Sequence, residues 1–245
     1  MLSTPAQGAI TFFGMASSPA DGGAQSGAAE RTVTPPASML TNDYVLVMVS
    51  GIGNDGATPP TLTNTTTGGQ TWTGVTQVDQ SGNGLGTRLF HARYNGTWAA
   101  DPGFTATVAS GNSFSIVMLV FRGVDTTTAL DVAVAGNAYS ACTSACTITG
   151  VTTNSSGAAV IAWWIANNTT TFTLTVGPGW TQNQSRVLNT TGIDNVQSYA
   201  WLIPVNSAAS GDVTNVQGTS RAGVEYILAL KAAVTARPMS PIFFH

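Results

Sequence analysis

Residues 113–122 read SFSIVMLVFR and residues 158–166 read AAVIAWWIA. Both runs are strand length and rich in β-branched and aromatic residues. In the first, Phe114, Ile116, Met118 and Val120 form one alternating row, and Val117, Leu119 and Phe121 form the other. In the second, Trp163 and Trp164 point to opposite sides. A strand with one face in water alternates apolar with polar side chains. These two do not, so both of their faces are expected to be covered by a loop, an arm or another subunit. Residues 223–231, GVEYILALK, alternate in part, with Val224, Tyr226, Leu228 and Leu230 in one row and Glu225 and Lys231 in the other.

Further strands are expected near Ile10–Met15, Tyr44–Ser50, Thr71–Val78, Thr87–Tyr94, Phe104–Val108 and Leu130–Val134. In the second half they are expected near Cys146–Val151, Phe172–Val176, Gln184–Leu188, Ser198–Pro204 and Asp212–Val216. Turn sequences such as GNDG at 53–56, SGNGLG at 81–86 and NSSG at 154–157 separate them. No window carries sustained apolar spacing of the helical kind. Many short strands at regular spacing indicate a sandwich or barrel.

The chain also repeats itself. DYVLVMVSG, GQTWT and SFSIVMLVFRG in the first half match GAAVIAWWIA, GPGWT and GVEYILALK in the second. Trp72 precedes Phe121 by 49 residues and Trp180 precedes Leu230 by 50. The repeat itself, Trp72 to Trp180, is about 110 residues, too long for a solenoid. It fits two Greek-key halves of one jelly-roll sandwich, which we favour, or two small sandwiches. The expected organisation is an N-terminal strand and extended arm (1–40), a β-sandwich (41–232, halves 41–135 and 145–232) and a C-terminal tail (233–245).

Composition narrows the function classes. Of 245 residues, 8 are Lys or Arg and 11 are Asp or Glu, so 8% are charged, with a net charge of −3. An average soluble domain is roughly 25% charged. Eight scattered cations do not make a nucleic-acid footprint. No apolar run reaches membrane-helix length, so neither nucleic acid nor a membrane is expected as a partner. Residues 1–20 contain no Lys or Arg, and no secretory signal is expected. Residues 17–38 are small, polar and Pro/Gly-rich, with no strand pattern. The tail ends in Ile242, Phe243 and Phe244, an apolar tip suited to docking on a neighbour. With Val117, Leu119 and Phe121 it forms the set of candidate assembly contacts.

Chemistry is sparse. Cys142 and Cys146 fit two free thiols or a loop disulfide. A zinc site wants four ligands, and the histidines are His91 and His245 alone, so no metal and no cofactor are expected. Nearly all acids fall at turns, where Asp bonds locally to backbone. His91 has no carboxylate in a triad-like pattern, and no catalytic residue is assigned. Arg122, Asp125 and Asp131 suggest a local ion pair where a strand leaves the sheet. Trp98 in the loop YNGTWAADPG, with Tyr139, is the candidate for stacking on a sugar, and Trp72 and Trp180 read as equivalent core plugs.

The strand DYVLVMV (43–49), the turn GPGWT (177–181), the segment FRGVDTTTALD (121–131) and the closing YILALKAA (226–233) together resemble a diffuse group of β-sandwich proteins of tailed bacteriophages. The resemblance spans roughly 40–233 and rests on structural turns and strands. It implies a non-enzymatic virion component: capsid decoration or cement, or a head or tail appendage. The implied partners are its own copies, a trimer being favoured, and a major capsid or other virion protein, with assembly in the host cytoplasm. The alternative is a carbohydrate-binding or adhesion module contacting a host glycan.

Overall fold

The computed structural model describes residues 6–18, 25–52, 61–62, 67–80, 84–142, 145–167, 172–175, 179–187 and 195–235. They build an all-β, antiparallel sandwich with the class expected from the sequence. Two large sheets lie at its centre. The first is ordered Thr11–Ser18, Phe114–Arg122, Tyr44–Ile52, Leu85–Arg93 and Trp72–Gly74, with the short Val78–Gln80 strand also beside Leu85–Arg93. The second is ordered Leu130–Tyr139, Gly223–Leu230, Ala158–Asn167, Asn195–Val205 and Trp180–Val187. Each is backed by a three-stranded sheet. Gln25–Thr32, Gly103–Asn112 and Thr61–Leu62 cover the first; Cys146–Ile148, Val213–Gln217 and Phe172–Thr175 cover the second.

Taken in chain order, the two halves have the same strand connectivity in both the large and the small sheet. Equivalence extends to single residues. Trp72 opens its strand opposite Ala92, and Trp180 opens its strand opposite Leu202. Val45 lies between Ala92 and Val120, as Val160 lies between Leu202 and Ala229. Even the edge-strand bulge recurs, at Val120/Phe121 in one half and beside Leu230/Ala229 in the other. A bulge is a specified feature rather than a defect, so its recurrence supports the internal duplication.

The layering is richer than a single pair of sheets. Three apolar layers separate four sheets. Leu46, Met48, Val117, Leu119 and Phe121 meet Ile161, Trp163, Tyr199, Tyr226 and Leu228 in the middle. Phe114, Ile116, Met118 and Val120 face Phe104 in one outer layer, and Trp164, Val160 and Ala229 face Phe172 in the other. Both faces of the central strands are therefore covered by this chain itself. Trp72 and Trp180 pack against the two outer cores, as equivalent plugs should.

The ends also differ from expectation. Thr11–Ser18 is the N-terminal strand expected near Ile10–Met15, and it pairs with Phe114–Arg122 in the first large sheet; the departures lie after it. Gln25–Thr32 lies in the stretch read as strandless, yet pairs with Gly103–Asn112. Its small residues carry no apolar rhythm, and the ladder comes from a long-range partner. Leu130–Tyr139 opens the second half rather than closing the first. Ala6–Gln7 pairs with Val234–Thr235, which brings the two end segments together. Ile242, Phe243 and Phe244 lie outside the described residues.

Candidate functional site

The assembly candidates Val117, Leu119 and Phe121 are corrected first. Each is fully buried in the central layer against the other half. Their apolar surface is already removed from water within one chain, so it offers nothing to a second subunit. The sequence pattern was right that the strand is covered twice; the cover is internal.

The aromatic candidates carry packing contacts. Trp98 is half-buried and stacks on Tyr94, with ring centroids 5.0 Å apart. Its ring also backs Gly68, where φ is 64° and a Cβ would come within 2.8 Å of the indole. Tyr139 is half-buried against the outer core of the second half. Its hydroxyl donates to the Ile165 carbonyl (3.3 Å) and accepts from Gln217 Nε2 (3.1 Å), and burial pushes its pKa up.

Cys142 and Cys146 are joined in a disulfide, and both sulfurs belong to that same outer core. His91 Nδ1 lies 2.7 Å from the Tyr44 hydroxyl. Burial holds the imidazole pKa below its ordinary value and raises that of Tyr44 to about 12. The pair is therefore neutral.

The local ion pair expected of the RGVD segment is also corrected. Arg122 reaches back to Asp43, with Nε–Oδ1 at 2.9 Å and Nη2–Oδ2 at 2.8 Å, a two-bonded fork. Asp125 instead accepts from the Thr127 and Thr128 amides at 2.9 and 2.8 Å, which lowers its pKa. Asp131 Oδ2 accepts from the Asn154 amide at 2.6 Å.

The strongest polar constellation was not visible from motifs. Asn195 and Gln197 stand on the inward row of their strand, fully buried. Asn195 Nδ2 donates to the Ser50 hydroxyl and carbonyl, while Ser115 Oγ donates to Asn195 Oδ1 (3.0 Å). Gln197 Nε2 donates to Ser115 Oγ (2.8 Å), and Trp163 Nε1 donates to Gln197 Oε1 (3.0 Å). Tyr226 reciprocates from the second half. Its hydroxyl lies 2.9 Å from Thr87 Oγ1 and 3.2 Å from the Thr87 carbonyl, and Thr87 Oγ1 donates to Val78 O at 2.7 Å.

By strand register, Gln197 is the counterpart of Thr87. Each half thus sends one polar side chain from the same position to the other half's last strand. That reciprocity is the signature of an isologous, two-fold-like interface, here within a single chain. A satisfied buried network fixes the relative register of the layers it joins.

The two edges of this interface differ. At one, Phe12 stacks on Trp201 with centroids 4.1 Å apart, and Met15 Sδ accepts from the Tyr199 hydroxyl (3.1 Å) and from Asn183 Nδ2 (3.6 Å). At the other lies a groove of about 790 Å³. One wall is Gly74 to Asp79, where the first half has two short strands instead of one continuous strand. The facing wall is the Leu130–Tyr139 edge strand, contributing Leu130, Ala133, Val134 and Asn137, and Tyr226 forms the floor. Gly136 is essential to the closest approach. A Cβ there would lie 2.7 Å from the Tyr226 ring and 2.8 Å from Val78 Cγ2.

Around the same edge strand, Glu225 sits in a smaller pocket of about 210 Å³ with Asn137, Ile148 and Thr149. Burial raises its pKa to about 7. Among the described residues no group of His, Cys, Asp and Glu is arranged to hold a metal ion. No family model, curated protein or solved structure matches this chain.

Proposed function

We propose that the chain is a structural component of a tailed-bacteriophage particle, a capsid decoration or cement protein or a head or tail appendage. It acts through contacts with its own copies and with the shell or tail beneath. The observation that supports this reading is where the polar chemistry lies. Asn195, Gln197, Ser50, Ser115, Thr87 and Tyr226 bond one another across the central interface, and Arg122 is forked to Asp43. These groups hold a four-sheet block together rather than converge on an open cleft.

The pieces quoted for the resemblance are structural elements of this chain. DYVLVMV runs into a central strand, YILAL closes the second large sheet, and FRGVDTTTALD joins the two halves. Such a block, with few charges, suits dense packing of many copies, since like-charge repulsion between neighbours is small.

The test is the composition of purified particles from the source that encodes the chain. The expected result is a fixed copy number per particle by quantitative mass spectrometry, with density for the sandwich in a particle reconstruction. Native mass spectrometry of the isolated protein is expected to give an oligomer, the trimer favoured. A chain found free in the lysate and missing from particles would contradict the reading.

A further inference from the structure

We infer that the groove at the open edge of the central interface receives an extended, uncharged polypeptide segment from a partner, which pairs along the Leu130–Tyr139 strand. Four features of the molecule lead to this.

The first is a free backbone edge. Leu130–Tyr139 is the outermost strand of its sheet and pairs on one side with Gly223–Leu230. That pairing is regular from Ala135 to Tyr139. On the outer side, among the described residues, Asn154 Nδ2 donates to the Asp131 carbonyl, and no strand follows. An unpaired edge is a template for another chain. Proteins blunt such edges with charges, Pro or bulges; here Asp131 and two bulges lie before Ala135, and Ala135–Tyr139 carries none of these. On the equivalent strand of the first half, Pro36 packs over Gly14.

The second is continuity with an interface already formed. The groove extends the contact between the two halves, and its two-fold-like counterpart is filled. There Phe12 and Met15 supply large apolar side chains from an extended strand, against Trp201 and Tyr199. In the groove the same places hold Leu130, Ala133 and Val134. The duplicated scaffold shows that larger side chains at these places close the opposite edge, and here the smaller set leaves the groove open beside the strand.

The third is the lining. Val75, Val78, Leu130 and Val134 offer apolar contact, and Asn137 offers an amide. The one ionisable carboxylate is Asp79, which already accepts a hydrogen bond from Gln77. An anionic occupant would be repelled by Asp79 and a cationic one would compete with Gln77 for it, whereas a peptide backbone finds hydrogen-bonding partners along the edge strand. The fourth is shape. The Tyr226 ring is 1% exposed, so the floor gives a sugar no open aromatic face on which to stack. Strand addition therefore fits better than glycan binding. The inference rests on this geometry alone, and its failure would leave the proposed structural role standing.

The probe is a fluorescein-labelled, amide-capped octapeptide TFFGMASS, the sequence of the strand that fills the opposite edge. Added to the intact protein, it is expected to show saturable fluorescence anisotropy. Ala133→Lys combined with Asn137→Lys, both at exposed positions, is expected to weaken binding at least tenfold while the melting curve is retained. Should the lysine pair disturb the fold, Ala133→Phe is expected to weaken binding as well, because it plugs the groove from within. Three results would overturn the inference. One is no saturable binding to the wild type. Another is binding unchanged in the folded variants, which would mean the peptide exchanges with the chain's own Thr11–Ser18 strand. The last is displacement of the peptide by maltoheptaose, which would identify a glycan site.

Discussion

At one edge of the central interface, Phe12 lies flat on Trp201 and Met15 meets Tyr199 and Asn183. At the other edge, Leu130, Ala133 and Val134 stand in the corresponding places and a groove of about 790 Å³ remains. The strand order is the same on both sides. The difference comes from side-chain volume and from one local break. Trp180–Val187 is a continuous strand of 8 residues, whereas its counterpart is split into Trp72–Gly74 and Val78–Gln80. A duplicated fold thus keeps its ladders while the two copies diverge at the rim, where changes in volume cost little core packing.

The comparison can be tested residue by residue. The largest effect is expected in the shared middle layer. Trp163→Ala should cost about 3–5 kcal/mol, and Met48→Ala, its counterpart, about 2–3 kcal/mol, both read from denaturant midpoints at constant m. A loss below about 1 kcal/mol at either site would show that the halves do not share the layer as described. Next comes the polar network. Asn195→Leu places the counterpart residue Leu85 there; it leaves Ser50 without its amide partner and the Ser115 hydroxyl without its acceptor, while Gln197 still donates to Ser115. The expected loss is about 2 kcal/mol; a neutral result would mean that the network adds no stability.

The two edges are separated by a smaller measurement. Phe12 and Leu130 are both half-buried. Phe12→Ala should cost about 2 kcal/mol and Leu130→Ala about 1 kcal/mol, reduced from full-core values by that exposure. A reversal of this order would break the comparison directly.

The smallest effect concerns pH. Glu225 is the counterpart of Ile116, and burial raises its pKa to about 7 from 4.5. The folded state keeps a proton that the unfolded state releases, so stability falls as pH rises from about 4.5 to 7. Glu225 is only partly buried, and solvent screening holds the loss to about 1 kcal/mol. In Glu225→Gln that part of the pH dependence should vanish; if it persists, another group carries it.

Much of the fold was legible because the central strands advertise it. The doubled apolar rows at 113–121 and 158–166 required cover on both faces, and the repeated Trp-Thr turns marked the duplication. What supplied the cover was not legible. A row of Val117, Leu119 and Phe121 looks the same whether it faces a second sheet or a second subunit. Gln25–Thr32 was missed because its residues, QSGAAERT, have no apolar period and owe their conformation to Gly103–Asn112. The groove was invisible for a related reason. It is defined by small residues, Ala133 and Gly136, opposite a broken strand, and small residues carry no motif. Asn195 and Gln197 could have been found. They share an alternating row with Tyr199 and Trp201 in NVQSYAW, and amides on an inward row ask for buried partners.

Both halves stand or fall together because they share one buried layer. Native-state hydrogen exchange tests it most directly. Amides of Tyr44–Ile52 and Phe114–Arg122 should exchange with the same opening free energy as those of Ala158–Asn167 and Gly223–Leu230. That common value should equal the global unfolding free energy. If the strands of one half open at a clearly lower free energy while those of the other stay protected, the halves are independent sandwiches and the account is wrong.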